Sequence, residues 1–417
     1  MLVLHVSDTH IGSSAPRSLP FRYRDVLEAF AETVDIAIRE RVDAYIHAGD
    51  FFDKAYAPPD TYLVAIKQLK RLKDSGIRVV AIAGQHDLPR RYGMSPLLLL
   101  RELGVVDYLA VSSIERFLVK CRSGELEVVA IPFPKRQGVK ACPKPSRTPS
   151  ILLAHLLLKE VVPQNPDASL AQIPTGFSYV ALGDYHGYRV FRLSDGTPVV
   201  YPGATEVFRR DEWSESGKGV VLVDLSKREA SFQRIQLSSV RPWILGEYQS
   251  VQQAIEDVRA RALKLVSEGR KPPLVFVSVL GTRESIALLH RALEALREEN
   301  LVAYYAVEAL KRPQPYLEAP EPQVVEEGEK LDISKLVEQV VGSEKLAKLL
   351  TELVTNPSEQ TARKLVEALK SDRELLEDAK KFVLRGYKPA APSKSKALAS
   401  SARPSLGRGL MRFLGGR

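Results

Sequence analysis

The sequence predicts an α/β fold that is followed by a smaller α+β domain and a helical C-terminal part. Short β-branched runs alternate with helix-period stretches through the first half of the chain, a pattern typical of a mostly parallel sheet covered by helices. A second alternation of helix and strand follows Arg241-Pro242, and leucines recur with helical period beyond residue 330. These observations divide the chain into regions of different architecture.

The first domain, residues 1–241, is predicted from apolar runs and turn signals. Runs of apolar and β-branched residues predict strands at 2–6, 44–47, 78–83, 128–131, 151–154 and 179–182. Helical periodicity fits 23–40 and 60–74, between the first three strands. From 188 to 237, turn pairs such as Asp195-Gly196 separate short runs, which indicates β-hairpins.

The rest of the chain is predicted to contain four regions. Residues 242–312 form the smaller α+β domain, with helices and strands alternating at 251–269, 274–280, 283–299 and 302–307. Proline and glutamate dominate 313–330, which predicts an extended linker that buries little surface. Amphipathic spacing over 331–385 predicts a helical hairpin, and the composition of 386–417 predicts a basic, disordered tail.

Composition and charge narrow the possible functions. The 417 residues are 45% hydrophobic and 27% charged, which excludes a disordered or fibrous protein. No apolar run approaches the roughly 18 residues of a membrane span, and no signal-peptide pattern opens the chain, so a cytoplasmic location is expected. The net charge is +9, but the tail holds seven basic and no acidic residues, which leaves 53 basic against 51 acidic residues elsewhere. The tail could therefore contact phosphates or simply be solvated.

Potential metal ligands end several of the predicted strands. The segments that carry them are SDTH at 7–10, GDFFD at 49–53, GQHD at 84–87, His155, and GDYH at 183–186. In an open α/β sheet, ligands bind beyond the carboxyl ends of the strands, so these segments should converge in space. The side chains that could bind a metal are Asp8, His10, Asp50, Gln85, His155, Asp184 and His186.

The chemistry of these seven side chains indicates two metal ions. Carboxylate, amide and imidazole groups without a thiolate suit a hard or borderline divalent ion such as Mn²⁺, Mg²⁺, Fe²⁺ or Zn²⁺. Seven candidates exceed what one catalytic ion needs and suit two ions that share a bridging ligand. Two ions about 4 Å apart can activate a water and stabilise the leaving oxygen in phosphoester hydrolysis.

The strand-end segments resemble the calcineurin-like metallophosphoesterase superfamily, whose signatures are D-x-H, G-D-x-x-D, G-N-H-D/E, a lone histidine and G-H-x-H. The segments LHVSDTHIG, HAGDFFD, AIAGQHD and YPGATEVFR are similar, more narrowly, to the Mre/SbcD branch, the nuclease subunit of a DNA double-strand-break repair complex. The resemblance implies a layered metallophosphoesterase sandwich with a small α+β capping domain at 242–312. It also implies a homodimer through catalytic-domain helices and a helical module, 331–385, that docks on the coiled coil of an SbcC-type ABC ATPase.

The resemblance further implies which residue performs which task. Asp8, His10 and His186 would hold one ion. Asp50 would bridge both ions, and His155 would bind the second. The expected cofactors are two divalent ions, with Mn²⁺ the expected metal.

Three neighbouring residues receive supporting roles. His86 matches the histidine that stabilises the transition state or protonates the leaving oxygen, so it is the predicted catalytic residue. Asp53 and Asp87 would orient neighbouring groups around the ions. The alternative for both carboxylates is that they cap the N-termini of the helices that follow.

Two positions depart from the family pattern, and both fall on the second ion. Gln85 stands where the family has asparagine, and Asp184 stands where it has the first histidine of G-H-x-H. The second ion would then be bound by Asp50, Gln85, His155 and Asp184. The added carboxylate favours Mg²⁺ or Mn²⁺, so the site is either re-tuned or decaying.

The prediction is a two-metal DNA phosphodiesterase, an exonuclease or endonuclease that processes DNA ends in double-strand-break repair together with the ATPase. Three alternatives stay open. A metal-impaired structural subunit would explain Gln85 and Asp184, and a small-molecule phosphodiesterase would share the metal cluster. A pure DNA-binding module would explain the basic tail but not the ligands at the strand ends.

Two apolar motifs near the C-terminus suggest protein partners. The stripe expected to dock on the ATPase is Leu346, Leu349, Leu350 and Leu353. The alternative is that the hairpin folds back on the body of the protein. In the tail, Leu410, Phe413 and Leu414 have the spacing of a one-turn anchor and resemble peptides that insert into DNA sliding clamps, although a frayed terminus is the default.

Overall fold

A computed structural model describes most of the chain. The described residues are 1–16, 19–214, 216–227 and 229–310, followed by 337, 341, 343–356 and 358–386. The chain divides into two compact units, residues 1–313 and residues 314–417. The predicted linker at 313–330 lies outside the described residues, as does the tail from 387 onward with its predicted clamp motif at Leu410, Phe413 and Leu414.

The described part of the first unit is built on two six-stranded sheets. The first sheet contains β1 (Leu2–Val6), β2 (Ala44–His47), β3 (Arg78–Ile82), β4 (Tyr108–Ala110), β11 (Gly219–Asp224) and β12 (Ser231–Gln236). The second contains β5 (Glu115–Cys121), β6 (Gly124–Ile131), β7 (Ser150–His155), β8 (Tyr179–Gly183), β9 (Arg189–Arg192) and β10 (Pro198–Tyr201). Their spatial orders are β12-β11-β1-β2-β3-β4 and β5-β6-β7-β8-β10-β9.

Four strands of each sheet are parallel, and antiparallel pairs lie toward one end of the first sheet and at both ends of the second. β1 to β4 run parallel in the first sheet, and β11 and β12 add to it antiparallel. In the second sheet β6, β7, β8 and β10 are parallel, whereas β5 and β9 pair antiparallel at the two ends. The hairpins predicted between 188 and 237 therefore belong to different sheets, since β9 and β10 pair in the second sheet and β11 and β12 pair in the first.

Alternating side chains of the strands explain the layered packing. In the first sheet Val3, Ile46 and Val80 face the second sheet and pack with residues such as Ile151 and Leu153, all fully buried. Successive residues on a strand point to opposite faces, so their neighbours pack on the outer side. Each buried aliphatic side chain contributes roughly 1.5 to 3 kcal/mol, which drives the two sheets together. The predicted layered sandwich is confirmed.

Helices cover the outer face of the first sheet. They are α1 (Pro20–Arg39), α2 (Pro59–Asp74) and α3 (Pro96–Glu102). Each begins with proline, whose fixed φ suits the first helical turn, where its missing N–H costs nothing. The buried residues Phe30 and Val34 of α1 and Leu69 of α2 pack with Leu4 and Tyr45 from the sheet.

The second part of the first unit contains its own parallel sheet, and we name residues 243–309 the capping region. Its strands are β13 (Trp243–Tyr248), β14 (Leu274–Val279) and β15 (Tyr304–Ala309), in that order. The helices α4 (Val251–Ser267) and α5 (Arg283–Glu298) begin at side-chain caps from Ser250 and Thr282. β13 was not among the predicted strands.

A buried cluster of charges joins α1 to the start of the capping region. The carboxylate of Asp25 accepts hydrogen bonds from Arg22 at 2.9 Å, from Arg241 at 2.6 Å and from Lys271 at 3.0 Å. The side chain of Asp25 is only 3% exposed, so water screens these contacts little. Burial opposes ionisation of Asp25, but the hydrogen bonds and charges of its basic partners hold its pKa below the usual value.

The second unit contains three helices among its described residues, one more than the predicted hairpin. They are α6 (Glu344–Thr355), α7 (Glu359–Ser371) and α8 (Arg373–Gly386). The carboxylate of Asp372 accepts from the backbone N–H groups of Glu374 and Leu375, which caps the start of α8. The third helix gives the apolar stripes of the first two a partner within the unit.

That third helix corrects one part of the predicted docking stripe. Leu346 is only 2% exposed and forms a buried cluster with Val341 and Leu375, so its side chain is not available to a partner. Leu349 and Leu350 pack half-buried against the same cluster. Three residues of the predicted stripe are still partly exposed: Leu349, Leu350 and Leu353.

Within the described residues, no helix has the length and apolar character that crossing a bilayer requires.

Candidate metal centre

The loops that follow β1 and β2 are joined to each other beyond the ends of the strands. The backbone N–H of Asp8 donates to the carbonyl of Gly49 at 3.0 Å, and that of His10 donates to the carbonyl of Asp50 at 3.1 Å. A parallel bridge between Ile11 and Phe52 continues the pairing. The parallel sheet therefore positions the loop carrying Asp8 and His10 directly beside the loop carrying Asp50.

Several predicted ligands have backbone conformations that L-residues rarely adopt. The φ angles are +51° at Asp8, +42° at His10, +52° at Asp50 and +87° at Asp184. Such conformations cost roughly 1 to 3 kcal/mol each and cluster at functional sites, where the surrounding structure fixes them. Here the cross-loop hydrogen bonds hold the strained backbone in place.

Two glycines allow these loops to approach closely. A Cβ atom on Gly84 would lie 2.1 Å from Oδ1 of Asp50, and a Cβ atom on Gly49 would lie 2.3 Å from Nδ1 of His155. Both distances are far below van der Waals contact, so any side chain would displace a predicted ligand. The glycines of the GDFFD and GQHD segments therefore leave the space that the side chains of His155 and Asp50 occupy.

A first group of possible ligand atoms comes from Asp8, His10 and His186, whose ligand atoms lie within 4.8 Å of one another. Nε2 of His10 is 3.2 Å from Nε2 of His186. The other ring nitrogen of His186, Nδ1, lies 2.9 Å from Oε1 of Glu212. A carboxylate can only accept, so Nδ1 carries a proton, and in the neutral form of the ring the lone pair on Nε2 points into the group.

A second group consists of Asp8, Asp50 and His155, all fully buried. Nδ1 of His155 donates to the carbonyl of Ala48 at 2.7 Å, which directs Nε2 at the carboxylates. Nε2 lies 3.6 Å from Asp50 and 3.8 Å from Asp184, and no described residue hydrogen-bonds it. A buried nitrogen facing two carboxylates is the arrangement that a cation between them would complete.

A third group adds His86 to His10 and Asp50. Nδ1 of His86 donates to the carbonyl of Asp53 at 2.8 Å, so Nε2 is free for the cleft. The ring is half-exposed, unlike the buried ring of His10, against whose edge it packs at 4.8 Å between centroids. The distances place His86 within reach of a ligand role as well as of the predicted catalytic one.

Asp87 and Asp53 support the loops and do not cap helices. The carboxylate of Asp87 is fully buried and accepts from the backbone N–H groups of Phe51, Phe52 and Gly84, at 3.1, 2.9 and 3.0 Å. It therefore ties the loop after β2 to the loop after β3. Oδ1 of Asp53 lies 4.0 Å from Nδ1 of His10. The N-cap alternative is wrong for both, because the next helices begin at Pro59 and Pro96.

The two residues that depart from the family pattern differ in their placement. The side chain of Asp184 is only 9% exposed, and its backbone N–H lies 3.2 Å from both carboxylate oxygens of Asp8. Gln85 is exposed on the wall of the cleft. The structure therefore brings Asp184 to the other predicted ligands and leaves the amide of Gln85 at their edge.

The electrostatics of the site fit a divalent cation. Burial, reinforced by Asp50, raises the pKa of Asp8 above its usual value and raises that of Asp87 to about 7. Burial alone would lower the pKa of His155, but the neighbouring carboxylates raise it to about 9. Within ion-pair distance, the described residues offer Asp50 and Asp184 only histidines as positive partners. Uncompensated buried carboxylates are costly, so the donor set suits bound metal.

One cleft with a volume of about 1060 Å³ is lined by His10, Asp50, His86, Asp184 and His186, whereas Asp8 and His155 are fully buried. Aromatic and basic side chains form its walls, among them Tyr185, Phe208, Arg189 and Arg234. The ring of Phe208 packs on His10 and His186, with centroids 4.9 and 5.8 Å away. The cleft therefore places arginine side chains beside the metal-binding groups.

Comparison with known proteins agrees with this geometry. The model of the calcineurin-like phosphoesterase family matches residues 1–199. The chain is 31% identical to the DNA double-strand break repair protein Mre11 of Sulfurisphaera tokodaii, over 73% of this chain and 79% of that protein. It is 33% identical to the Saccharolobus solfataricus protein of the same name, over 73% and 81%, and 30% identical to that of Aeropyrum pernix, over 66% and 72%.

The chain belongs to the Mre11 family of calcineurin-like phosphoesterases. It is accordingly a metal-dependent phosphodiesterase, and the resemblance to the Mre/SbcD branch is confirmed.

Sequence reasoning missed Glu212 and Lys218. Glu212 contacts His186, and Nζ of Lys218 donates to the backbone carbonyl of His186 at 2.8 Å. Both follow the YPGATEVFR segment, where neither strand ends nor ligand spacing mark them. The signal that could have found Glu212 is chemical, because a metal-binding histidine normally donates its second ring N–H to a carboxylate or carbonyl.

Proposed function

We propose that this chain is a two-metal nuclease that processes DNA ends in double-strand-break repair and acts in the cytoplasm. The observation that carries the proposal is the sharing of ligands among the three groups in the cleft. Asp8 and Asp50 each belong to two groups, as two ions with common ligands would require. The names of the relatives, DNA double-strand break repair proteins, supply the biological process.

Two sets of side chains would hold the ions. Asp8, His10 and His186 would bind one of them. Asp50 would bridge to the other, which His155, Asp184 and, from the cleft wall, Gln85 would bind. When bound, two Mn²⁺ ions activate a water and stabilise the leaving oxygen of the phosphodiester.

The protein itself positions the substrate and moves a proton. His86 would donate a proton to the leaving oxygen from Nε2 once both ring nitrogens are protonated, because Nδ1 already donates its own proton to the carbonyl of Asp53. Arg189 is exposed at the rim and Arg234 is half-exposed there, so both could contact DNA phosphates. Asp87 would keep the loop of Asp50 in position, since it accepts three backbone hydrogen bonds from the two loops.

A metal-impaired structural subunit is the second candidate, and the exposure of Gln85 is the observation that favours it. The family asparagine is one methylene shorter, and Gln85 must fold inward to reach an ion shared with Asp50. The position of Asp184 favours the enzyme over the structural subunit, because its carboxylate lies 3.8 Å from Nε2 of His155, which no described residue hydrogen-bonds. Metal stoichiometry separates the two candidates.

The proposal includes a homodimer through α2 and α3. Each helix carries a large apolar side chain that is exposed, since Leu63 of α2 is 51% exposed and Leu99 of α3 is 45% exposed. The segment that precedes α3 adds Tyr92 at 87% and Met94 at 74%. Exposed apolar surface marks an interface where it is contiguous, so we assign the dimer contact to these helices.

The proposal also keeps an SbcC-type ABC ATPase as the partner of the second unit. After Leu346 is excluded, the apolar surface available there includes Val354, which is 64% exposed, and Val366, which is 46% exposed. Leu353 is half-buried on the same helix as Val354. A coiled coil could pack its own apolar ridge on this surface.

The deciding experiment combines metal binding with cleavage. Calorimetry with the full chain should show two Mn²⁺ sites, and the protein should degrade duplex DNA with free ends when Mn²⁺ is present. His86→Ala should lose cleavage by about 100-fold or more while it keeps both sites. Asp184→Ala should remove only the weaker site.

Each part of the proposal can fail separately. A wild-type protein with one Mn²⁺ site and no cleavage would favour the structural subunit. Hydrolysis of small phosphodiesters without DNA cleavage would favour a small-molecule enzyme. Loss of a Mn²⁺ site in His86→Ala would make that histidine a ligand.

A further inference from the structure

A short 3-10 turn, Arg210–Glu212, connects the metal centre to the capping region. It lies after β10 in the chain and contacts His186 with one residue and β14 and β15 with another. The two contacting residues, Arg210 and Glu212, are only two positions apart in the chain. A movement of the capping region that displaces Arg210 therefore also displaces Glu212 and the contact of Glu212 with His186.

Glu212 holds His186 from the side opposite the ions. Its Oε1 accepts from Nδ1 of His186 at 2.9 Å, and its Oε2 accepts from the backbone N–H of Phe208 at 3.0 Å. Nζ of Lys218 lies 3.7 Å from Oε2, and the carboxylate is 10% exposed. Both oxygens are engaged, so the position of the carboxylate is fixed on both sides.

This contact determines what His186 offers to the metal centre. An imidazole that donates from Nδ1 to a carboxylate keeps its lone pair on Nε2, the atom that faces His10 at 3.2 Å. Without the carboxylate, the ring could rotate or exchange tautomers. The hydrogen bond therefore selects both the orientation and the tautomer suited to binding a metal.

Arg210 holds the same turn against the capping region. Its Nη2 lies 2.9 Å from Oε1 of Glu308 in β15, and its guanidinium stacks 4.4 Å above the ring of Phe276 in β14. Phe276 is itself packed against Trp243, with ring centroids 5.0 Å apart. The guanidinium is therefore seated on the ordered core of the capping region.

We infer that Glu212 is a positioning residue for His186 and that Arg210 makes this positioning depend on the capping region. The inference rests on the proposed metal-binding function of His186. Whatever moves β14 and β15 relative to the metal centre, such as DNA lying across both, would act on His186 through this turn.

The first test measures Mn²⁺ binding and needs no nuclease assay. Glu212→Gln should weaken the Mn²⁺ site that includes His186 by about 10-fold or more, within the range for residues that support metal-binding histidines. In the metal-free protein, at a pH high enough for the imidazole to be neutral, ¹⁵N NMR should show His186 with the proton on Nδ1 in the wild type and a mixture of tautomers in the variant. Asp211→Asn, which removes a neighbouring carboxylate that is 67% exposed, is the matched control and should change neither result.

The second test examines the dependence on the capping region. Arg210→Ala should weaken the same Mn²⁺ site by about 3-fold, since it leaves Glu212 in place but frees the turn. Introduced into Glu212→Gln, it should cause no further loss, because the link to His186 is already broken. Equal losses in both backgrounds would overturn the connection through Glu212.

The outcomes distinguish this inference from the proposed function. A wild type that binds no Mn²⁺ contradicts the proposed function. A wild type that binds Mn²⁺, together with an unchanged affinity and tautomer in Glu212→Gln, overturns the positioning role. Thermal unfolding of each variant shows that the protein is folded, and Glu212→Asp, which keeps the charge on a shorter side chain, provides a second variant that should lose less affinity than Glu212→Gln.

Discussion

The metal centre and the Asp25 cluster both bury carboxylates, but in the described part of the chain only the Asp25 cluster places arginine and lysine side chains against them. Asp25 contacts Arg22, Arg241 and Lys271 within 3.0 Å. Asp50 has only histidines within ion-pair distance among the described residues. A buried carboxylate surrounded by guanidinium and ammonium groups connects parts of the fold, so we call the Asp25 cluster a structural joint. A buried carboxylate that faces imidazole nitrogens can instead share a metal cation with them.

The pKa shifts of the two regions have opposite directions. The basic partners of Asp25 lower its pKa despite burial. Burial raises the pKa of Asp8, and burial together with Asp50 raises that of Asp87 to about 7. The same residue type therefore favours its charged form at the joint and resists it at the metal centre, where bound ions would restore the balance.

The largest expected effect tests the structural joint. Asp25→Asn should lower the free energy of unfolding by about 3 kcal/mol, because Arg241 stays buried without its carboxylate and Arg22 keeps only the carboxylate of Glu206, at 3.3 Å. Denaturant unfolding measures this. Asp35→Asn, which removes an exposed ion pair with Arg71, is the control and should cost less than about 1 kcal/mol. Equal losses would show that the cluster contributes no more than a surface pair.

The second prediction compares how the two regions respond to metal. Mn²⁺ at about 100 times its dissociation constant should stabilise the wild type by about 2.7 kcal/mol. Asp50→Asn should lose this gain, and Asp25→Asn should keep it although its starting stability is lower. Thermal unfolding with Mn²⁺ and with EDTA gives both values. A gain retained by Asp50→Asn would remove Asp50 from the ligands.

The third prediction concerns pH in the metal-free protein. The raised pKa of His155, from 6.5 to about 9, adds stability that is fully present below pH 6.5 and lost as the pH rises through 9. The lowered pKa of Asp25 adds stability that is present above its usual value of 3.8 and lost only as the pH falls below it. Unfolding in EDTA across this range should show both slopes. His155→Gln should flatten the alkaline slope alone, and Asp25→Asn the acid slope alone.

Most of the metal centre could be predicted because its residues follow strand ends. A parallel strand is a continuous apolar run, so the first polar residue after it marks the edge where ligands gather. Asp8, Asp50, His155 and Asp184 were all located by this rule, and the structure brings them together. Glu212 has no such marker, because its role depends on a turn that only the folded chain places beside His186.

The helical unit shows a different limit of sequence reasoning. The spacing of Leu346, Leu349 and Leu350 gives one apolar face, which is the same whether the partner is another protein or another helix of the unit. The structure assigns Leu346 to the internal cluster because α8 supplies Leu375. Periodicity therefore identified the face of the helix but not its partner.

The left-handed backbone at Asp8, His10 and Asp50 restricts how this cleft can change over generations. Glycine adopts such angles without penalty, so replacing any of the three by glycine would relieve strain at the cost of a ligand. The strained backbone is therefore kept only where a ligand is needed at that position. Asp184 keeps both a φ of +87° and a carboxylate facing His155. Selection that still demands an ion preserves that combination, whereas drift erodes it.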